Sequence, residues 1–343
     1  MPEKILVVGP AWVGDMVMAQ SLFISLRQRL PNARIDVLAP GWSLPVLARM
    51  PEVHTAIAMP LTHGQLGLGQ RWKLGRSLRH NGYDQAIVLP RSLKAALVPW
   101  FAGIPVRTGF RGEFRYGLIN DMRVLDKAVL TQTVQRFVAL GLPRGSVVDR
   151  PPAIPAPRMA VTQDSVAGAL AKFELALDRP VLGIMPGAEY GPAKQWPAGH
   201  YAQLAATMAS RGWQTWIFGS SKEQALGTEI AEGAGTSAVK NLCGATALQD
   251  VVDLLSVCTA VVSNDSGLMH IAGAVDVPVI GLYGSSSPEY TPPLAPRHTV
   301  IRLGLDCSPC FARTCRFGHY NCLVNIEVER VAQEIHHWAP GPA

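Results

Sequence analysis

The chain has 343 residues, which exceeds the usual size of a single hydrophobic core, so two domains are expected. Hydrophobic residues make up 48% of the sequence and charged residues 16%, which is typical of a globular protein and excludes a disordered one. The net charge of +6 favours an acidic partner, but no dense Lys/Arg run with interleaved aromatic residues is present, so nucleic-acid binding is not expected.

The N-terminal segment predicts a short buried strand at residues 5–8 and shows no signal-peptide cleavage site. No run of about 18 uninterrupted apolar residues occurs anywhere in the chain, so no transmembrane helix is expected. These observations together favour a cytoplasmic protein.

The first half alternates strands and helices. Strands are predicted at residues 5–8, 34–38 and 85–89, with a helix at 16–29. The elbow at residues 9–15 lacks both the G-x-G-x-x-G fingerprint of dinucleotide sites and the Gly-Lys-Ser/Thr ending of a P-loop. Asp15 ends this elbow, where it either caps the helix or faces a ligand as a general base.

Four arginines gather in one stretch of the first half: Arg107, Arg111, Arg115 and Arg123. They either form a solvated loop or bind phosphates and carboxylates, which guanidinium groups match geometrically.

The proline-rich stretch at residues 151–157 predicts a linker, because proline continues neither a helix nor a central strand. The domains are therefore expected at residues 1–157 and 158–343. In the second, strands are predicted at 181–185, 214–218 and 277–283, and helices at 198–210, 222–232 and 328–338. Such alternation predicts α/β architecture, with two doubly wound, Rossmann-like domains facing a central cleft. The last helix is expected to pack back on the N-terminal domain.

Two strand ends in the second half carry candidate ligand residues. The loop after residue 185 is rich in glycine and includes Gly187 and Lys194, and this lysine is either solvated or bound to phosphate. The next strand end carries Ser220 and Glu223, where Glu223 either hydrogen-bonds a ribose or is a first-turn helix residue.

The segment at residues 261–274 is the most informative of the chain, because an apolar strand ends in a polar elbow and a helix follows at once. The N–H groups of Ser266, Gly267 and Leu268 would lack intrahelical partners and could bind a pyrophosphate. Asp265 either caps this helix or binds sugar hydroxyls.

Cys307, Cys310, Cys315 and Cys322 form a C-x₂-C-x₄-C-x₆-C pattern. Four such thiolates could bind structural zinc or an iron–sulfur cluster, with His319 as a substitute ligand. The alternative is a reduced cytosolic loop. Cys243 and Cys258 lie alone and are expected in the core.

Several motifs together resemble the bacterial ADP-heptose:lipopolysaccharide heptosyltransferases of glycosyltransferase family 9. They are GPAWVGDM at residues 9–16, PGAE with PAK and WP at 186–197, and NDSGLMH at 264–270. The stretches at residues 96–105, 107–112 and 287–293 resemble the type II branch.

The resemblance implies a GT-B fold, with an N-terminal acceptor-binding domain and a C-terminal domain that binds ADP-L-glycero-D-manno-heptose. It implies an inverting enzyme that transfers this heptose onto the first heptose of the lipopolysaccharide inner core, on the cytoplasmic face of the inner membrane. Asp15 would be the general base, and Lys194 would stabilise the leaving ADP.

The remaining contacts follow from the same resemblance. The donor set is expected to comprise Gly187, Lys194, Ser220, Glu223, Asp265, Ser266, Gly267 and His270. The acceptor set is expected to comprise Gly14, Arg91, Arg107, Arg111 and Arg115, where Arg91 replaces an asparagine that is found in many relatives. No D-x-D carboxylate pair lies at a predicted donor elbow, so no cofactor is required.

Three alternatives remain open. They are a type I heptosyltransferase that acts on a Kdo-lipid A acceptor, a nucleotide-sugar epimerase of GT-B shape, and a two-lobed solute-binding protein. The last should carry an export signal, and none is recognised in the sequence.

Overall fold

The predicted alternation of strands and helices is confirmed in a computed structural model of the chain, which describes residues 2–62, 64–143, 145–146 and 148–339. The chain divides into two units, Met1–Pro157 and Arg158–Ala343. Within the described residues, each unit contains one parallel sheet of six strands. No helix in this part of the chain is both long and apolar enough to cross a membrane.

The first unit has the strand order β3-β2-β1-β4-β5-β6. Its elements are β1 (Lys4–Val8), α1 (Val13–Arg29), β2 (Arg34–Pro40), α2 (Leu44–Leu47), β3 (Thr55–Met59), α3 (Leu68–Leu78), β4 (Gln85–Val88), α4 (Leu93–Phe101), β5 (Val106–Phe110), β6 (Asp121–Arg123) and α5 (Thr133–Leu140).

The second unit has the strand order β12-β11-β10-β7-β8-β9. Its elements are α6 (Gln163–Lys172), β7 (Val181–Met185), α7 (Ala198–Ser210), β8 (Gln214–Ile217), α8 (Gln224–Ala234), β9 (Val239–Asn241), α9 (Leu248–Leu255), β10 (Ala260–Asn264), α10 (Gly267–Ala274), β11 (Val279–Leu282), β12 (His298–Ile301), α11 (Asn321–Val324) and α12 (Val328–Trp338).

The two sheets repeat one topology, because each starts at its middle and is extended first to one side and then to the other. The order reverses between β1 and β4 in the first unit and between β7 and β10 in the second. In open α/β sheets, ligands bind beyond the carboxyl ends of the strands at such a reversal. The topology therefore singles out four loops, those that follow β1, β4, β7 and β10.

The core of the second unit covers its sheet with large apolar side chains. All residues of β7 and β10 are buried, as expected for central strands of a parallel sheet that is covered on both faces. Helix α12 buries Val328, Val331, Ala332 and Ile335 at helical spacing in this core. The last helix thus packs its apolar face within its own unit, and its packing on the first unit stays a prediction.

The close pairing of β7 with β10 leaves no space for a side chain at Gly183. A Cβ at this position would lie 2.8 Å from Cγ1 of Val261 on the neighbouring strand. We expect Gly183→Ala to lower the free energy of unfolding by about 1–3 kcal/mol through overpacking, measured by urea denaturation.

The matched control is Gly168→Ala in α6, where an added Cβ meets no heavy atom within 4 Å. Because alanine favours the helix over glycine, this variant should gain about 0.5–1 kcal/mol. Equal stability of the two variants would contradict the packing described for the β7–β10 pair.

Candidate active site

The buried amide of Asn264 joins the end of β10 to the loop that follows β7. Its Oδ1 accepts hydrogen bonds from the backbone N–H of Trp196 at 3.1 Å and from the Tyr201 hydroxyl at 3.0 Å. Its Nδ2 donates to the carbonyl of Pro186 at 2.7 Å. Since an unpaired buried amide would cost about 1–3 kcal/mol, these bonds select one position of the loop. The loop that carries Lys194 is thereby held beside β10.

Lys194 and Asp265 meet in this arrangement. The Lys194 ammonium donates to Oδ2 of Asp265 at 2.6 Å, and the two side chains are 19% and 5% exposed. An ion pair so removed from water retains a strong mutual attraction and leaves a costly charge behind if one partner is removed. The two residues that the sequence placed on separate strand ends therefore form one charged centre.

Thr291 completes the surroundings of Asp265. Its hydroxyl lies 3.3 Å and 3.4 Å from the two carboxylate oxygens, and Tyr283 holds the Thr291 carbonyl through a 2.7 Å hydrogen bond. The sequence analysis assigned no role to Thr291, although its segment carried part of the family resemblance. No periodicity marks such a loop residue, so its role could not be inferred before the structure.

Helix α10 begins at Gly267, two residues after Asp265, and its N-cap is Ser266. The Ser266 hydroxyl accepts from the backbone N–H of Met269 at 3.4 Å. The interpretation of Asp265 as the cap is therefore wrong, and its carboxylate is used by Lys194 instead. The remaining first-turn N–H groups begin at Gly267 and have no intrahelical acceptor, as at any helix start, which makes this end suited to an anion.

His270 lies in the second turn of α10 and is 4% exposed. Burial lowers its pKa to about 4, while Asp265 raises and Lys194 lowers this pKa by smaller amounts. The ring is therefore neutral at physiological pH. Among the described residues its Nδ1 has no hydrogen-bond partner.

Ser220 and Glu223 form a capping box at the end of β8. The carboxylate of Glu223 accepts from the backbone N–H of Ser220 at 2.7 Å and also from its hydroxyl. Glu223 is thus a first-turn residue, as one interpretation of the sequence expected. It also lies against Gly187, where a Cβ would come within 3.0 Å of its Cγ. The ends of β7 and β8 are consequently in direct contact.

In the first unit, Gly14 and Asp15 lie in the first turn of α1, which follows β1 at the order reversal. The helix begins at Val13, earlier than predicted, and its N-cap is Trp12. Asp15 is therefore not the cap. Its half-buried carboxylate lies at the positive end of the helix dipole, which stabilises the ionised form.

The arginines of the first unit have different roles. Arg91 follows β4 and Arg111 follows β5, and both are exposed. The Arg91 guanidinium donates to the Arg111 carbonyl at 3.2 Å. Arg115 is fully buried and donates to the carbonyls of Pro90 and Phe110, both at 2.6 Å. Burial, followed by the nearby Arg91, lowers the pKa of Arg115 to about 10.

Arg107 likewise donates to backbone carbonyls, at Leu118 over 2.7 Å and at Gly117 over 3.2 Å. Arg123 donates to the carbonyls of Ala139 and Leu142. Arg107 and Arg115 therefore stabilise loops, and their predicted contact with the acceptor is not tested by these bonds. The sequence alone could not show that Arg107 and Arg115 bond to the backbone whereas Arg91 and Arg111 are exposed.

Comparisons with known proteins identify the family of the chain. The model of glycosyltransferase family 9 (heptosyltransferase) matches residues 71–321. Lipopolysaccharide heptosyltransferase 2 of Escherichia coli (strain K12) is 48% identical, with 97% of each chain covered. The solved structure of E. coli ADP-heptose lps heptosyltransferase II superposes with a TM-score of 0.88 at 45% identity, covering 98% of each chain.

The chain belongs to glycosyltransferase family 9, the heptosyltransferases. A lipopolysaccharide heptosyltransferase 1, from Pseudomonas aeruginosa, is only 26% identical, with 92% of this chain covered. The similarity is therefore much stronger to the type 2 protein, as the motifs at residues 96–105 and 287–293 predicted.

The cysteine-containing loop, residues 307–322 with the start of α11, lies beside the loop that carries Lys194. All four of its thiols are free. Burial and the nearby Cys307, Cys310 and Cys315 raise the pKa of the Cys322 thiol, while backbone N–H groups, that of Tyr320 foremost, lower the pKa of Cys315. Within the described ranges, however, no three His, Cys, Asp or Glu side chains are arranged to hold a metal ion. Structural zinc or an iron–sulfur cluster here stays a prediction. Cys243 and Cys258 are buried in the core, as expected.

This loop also contacts the Lys194 turn, which the sequence gave no reason to expect. The Arg313 carbonyl accepts from Ala193 N–H at 3.0 Å, and the Tyr190 hydroxyl donates to the Phe311 carbonyl at 2.8 Å. Lys194 and Arg313 both lie over the Tyr190 ring, 5.3 Å and 5.2 Å from its centroid. Arg313 is thus a second cation close to the charged centre.

The depressed pKa of His270 gives a pH-dependent contribution to stability. An unfolded histidine has a pKa near about 6.5, so between this value and the folded pKa of about 4 the unfolded chain binds more protons. We expect the stability of the wild type relative to His270→Gln to be constant above about pH 6.5 and to fall by up to about 3 kcal/mol towards pH 4.

Urea denaturation of both proteins across this pH range measures the difference. His80→Gln, at an exposed position in the first unit, is the control and should follow the wild type. Parallel stability curves for the wild type and His270→Gln would show that the ring is protonated equally in both states.

Proposed function

We propose that the chain is an inverting glycosyltransferase that moves L-glycero-D-manno-heptose from ADP-heptose onto the first heptose of the lipopolysaccharide inner core. The observation that carries the proposal is the Lys194–Asp265 pair, which lies at the order reversal of the second sheet and at the start of α10. Membership of the heptosyltransferase family and the strong similarity to type 2 relatives support the choice of substrates.

In this proposal the second unit, residues 158–343, binds the donor. The Lys194 ammonium and the N-terminus of α10, with Ser266 and Gly267, bind the diphosphate. The diphosphate competes with Asp265 for Lys194, and Asp265 then accepts hydrogen bonds from sugar hydroxyls. Gly187 and the Ser220–Glu223 turn contact the nucleotide, with Glu223 packed where a Cβ of residue 187 would lie. The neutral His270 packs behind the site.

The first unit, residues 1–157, binds the acceptor. Gly14 and Asp15 lie at the order reversal of its sheet, and Arg91 and Arg111 provide exposed cations near the neighbouring strand end. An acceptor that is rich in phosphate and acid sugars complements these guanidinium groups. We leave Arg107 and Arg115 out of the contact set, because their guanidinium groups already donate to backbone carbonyls.

The reaction follows from these assignments. Asp15 removes the proton from an acceptor hydroxyl, the oxygen attacks the anomeric carbon, and the bond to the diphosphate breaks with inversion. Lys194 and the α10 N–H groups stabilise the charge that develops on the departing ADP. No step of this scheme passes through a metal at the cysteine loop. Because the acceptor is a lipid, the enzyme would work at the cytoplasmic surface of the inner membrane.

The acceptor requirement tests the assignment directly. We expect purified protein to release ADP from ADP-heptose only with an acceptor that already bears one heptose, because Asp15 is assigned to a hydroxyl of that sugar. Release of ADP, and mass spectrometry of the acceptor, measure the reaction. Equal turnover on an acceptor without heptose would favour the type I reaction, and free sugar products without any acceptor would favour an epimerase.

Variants of Asp15 and Lys194 should separate the two assigned roles. Asp15→Asn should lower kcat by about 10²–10⁴-fold, the usual contribution of a general base, and leave the Kd for ADP unchanged. Lys194→Met should instead weaken ADP binding by about 10–100-fold, since a charge-assisted contact is lost.

Isothermal titration with ADP and single-turnover kinetics measure the two effects, and circular dichroism verifies that both variants fold. Undiminished turnover in Asp15→Asn would contradict the base assignment. Unchanged ADP affinity in Lys194→Met would contradict the phosphate assignment.

A further inference from the structure

Helices α3 and α4 of the first unit expose an unusual combination of side chains. Four large apolar residues are about half exposed: Leu66 at 55%, Leu68 at 54%, Trp72 at 47% and Trp100 at 46%. Three of them lie at or just before the start of α3 or within its first turns. A contiguous exposed apolar surface commonly marks a site of protein or membrane contact.

The two helices present these residues on adjacent surfaces. They cross at Gly75, where a Cβ would lie 2.4 Å from Cβ of Phe101. Arg79 strengthens the crossing, because its Nε donates to the Phe101 carbonyl at 2.9 Å. Trp100 precedes Phe101 and packs on it with a ring-centroid distance of 5.0 Å. Trp72 lies three residues before Gly75, so both indoles flank one helix crossing.

The chain segment before α3 is held in place by a buried charge. Arg71 is 5% exposed, and its guanidinium donates to the Leu66 carbonyl at 2.6 Å and to the Gln65 carbonyl at 3.4 Å. These bonds fix the backbone of Leu66 at the surface. The exposure of this leucine is therefore a fixed property of the folded unit.

The charges on this face have one sign. Neither α3 nor α4 contains an Asp or Glu, whereas Lys73, Arg76 and Arg79 are exposed. The Arg76 guanidinium lies over the Trp72 ring, 5.5 Å from its centroid, so a cation and an indole share the surface. Indole rings and leucines that alternate with Lys and Arg match the boundary between lipid headgroups and acyl chains.

We propose that this face, defined by Leu66, Leu68, Trp72, Lys73, Arg76 and Trp100, docks the protein on an anionic membrane surface. The apolar side chains enter the headgroup region, and the cations bind the negative lipid charge. The choice of a membrane over a protein partner rests on the uniform positive charge around the indoles. The inference deepens the proposed function, since it assigns the surface through which the enzyme reaches a lipid acceptor.

The test uses the full chain in vesicle co-sedimentation. Vesicles of phosphatidylethanolamine with phosphatidylglycerol provide the anionic surface, and phosphatidylcholine alone provides the neutral one. We expect the wild type to sediment with the anionic vesicles, and the binding to weaken as KCl is raised. Binding to neither composition, or equal binding to both, would overturn the proposal.

Paired substitutions locate the surface. The variant Lys73→Gln with Arg76→Gln should weaken binding by about fivefold for each cation removed. The variant Trp72→Ser with Trp100→Ser should weaken binding at low salt and abolish the blue shift of tryptophan fluorescence on the vesicles. The control variants are Lys240→Gln and Leu177→Ser, both at exposed positions in the second unit, and both should bind like the wild type. Wild-type binding by the two paired variants would overturn the proposal.

An activity measurement separates this inference from the proposed function. With an acceptor saccharide whose acyl chains have been removed, all variants should retain wild-type kcat, because docking is not needed. With the acceptor embedded in anionic vesicles, the paired variants should show a raised KM. If the wild type fails on both acceptors, the proposed function fails, whereas the vesicle-binding results still decide the docking surface.

Discussion

The hydrogen bonds of one buried amide, Asn264, determine the geometry on which the Lys194–Asp265 pair depends. Its three partners belong to the β7 loop and to α7, so a single side chain ties together segments that are far apart in the sequence. An aliphatic residue at this position could satisfy neither the two donors nor the acceptor. Because these bonds fix the loop, the Lys194 side chain is positioned beside Asp265 with few alternative rotamers. The charged groups of the site are thus held in place by the fold itself. Such preorganisation is required for electrostatic stabilisation of a developing charge.

The two units differ in the charge around some of their strand ends. In the second, two lysines near the strand ends are paired with acids, Lys194 with Asp265 and the exposed Lys222 with Glu189 at 2.7 Å. In the first, Arg91 and Arg111 are exposed at the strand ends, and α3 and α4 carry cations without any acid. In the proposed scheme, the diphosphate of a nucleotide sugar replaces Asp265 as the partner of Lys194. A highly anionic lipid suits an uncompensated positive surface, which attracts it over a distance.

Much of the fold could be predicted from sequence, because buried strands and their following elbows have a strong local signature. The pairing of Lys194 with Asp265 was within reach for the same reason, since both follow strands that a doubly wound sheet places side by side. Helix caps were harder: Trp12 and Ser266 occupy the positions that the pattern gave to Asp15 and Asp265. The arginines of the first unit differ in burial, and the composition of the sequence does not reveal which of them are buried. Thr291 and Arg313 approach the site from irregular loops, whose course is determined by tertiary hydrogen bonds and not by any periodicity.

The contact between the cysteine loop and the Lys194 turn has a consequence for the divergence of this family. Gly191 has a φ of 152°, and a Cβ there would lie 2.4 Å from the Arg313 carbonyl. The glycine is therefore required by the backbone of a segment more than a hundred residues away. A relative in which the cysteine loop is shorter or differently folded would be released from this restriction. The two segments should consequently be inherited as one module, and a chimera that exchanges one of them alone would misplace the lysine.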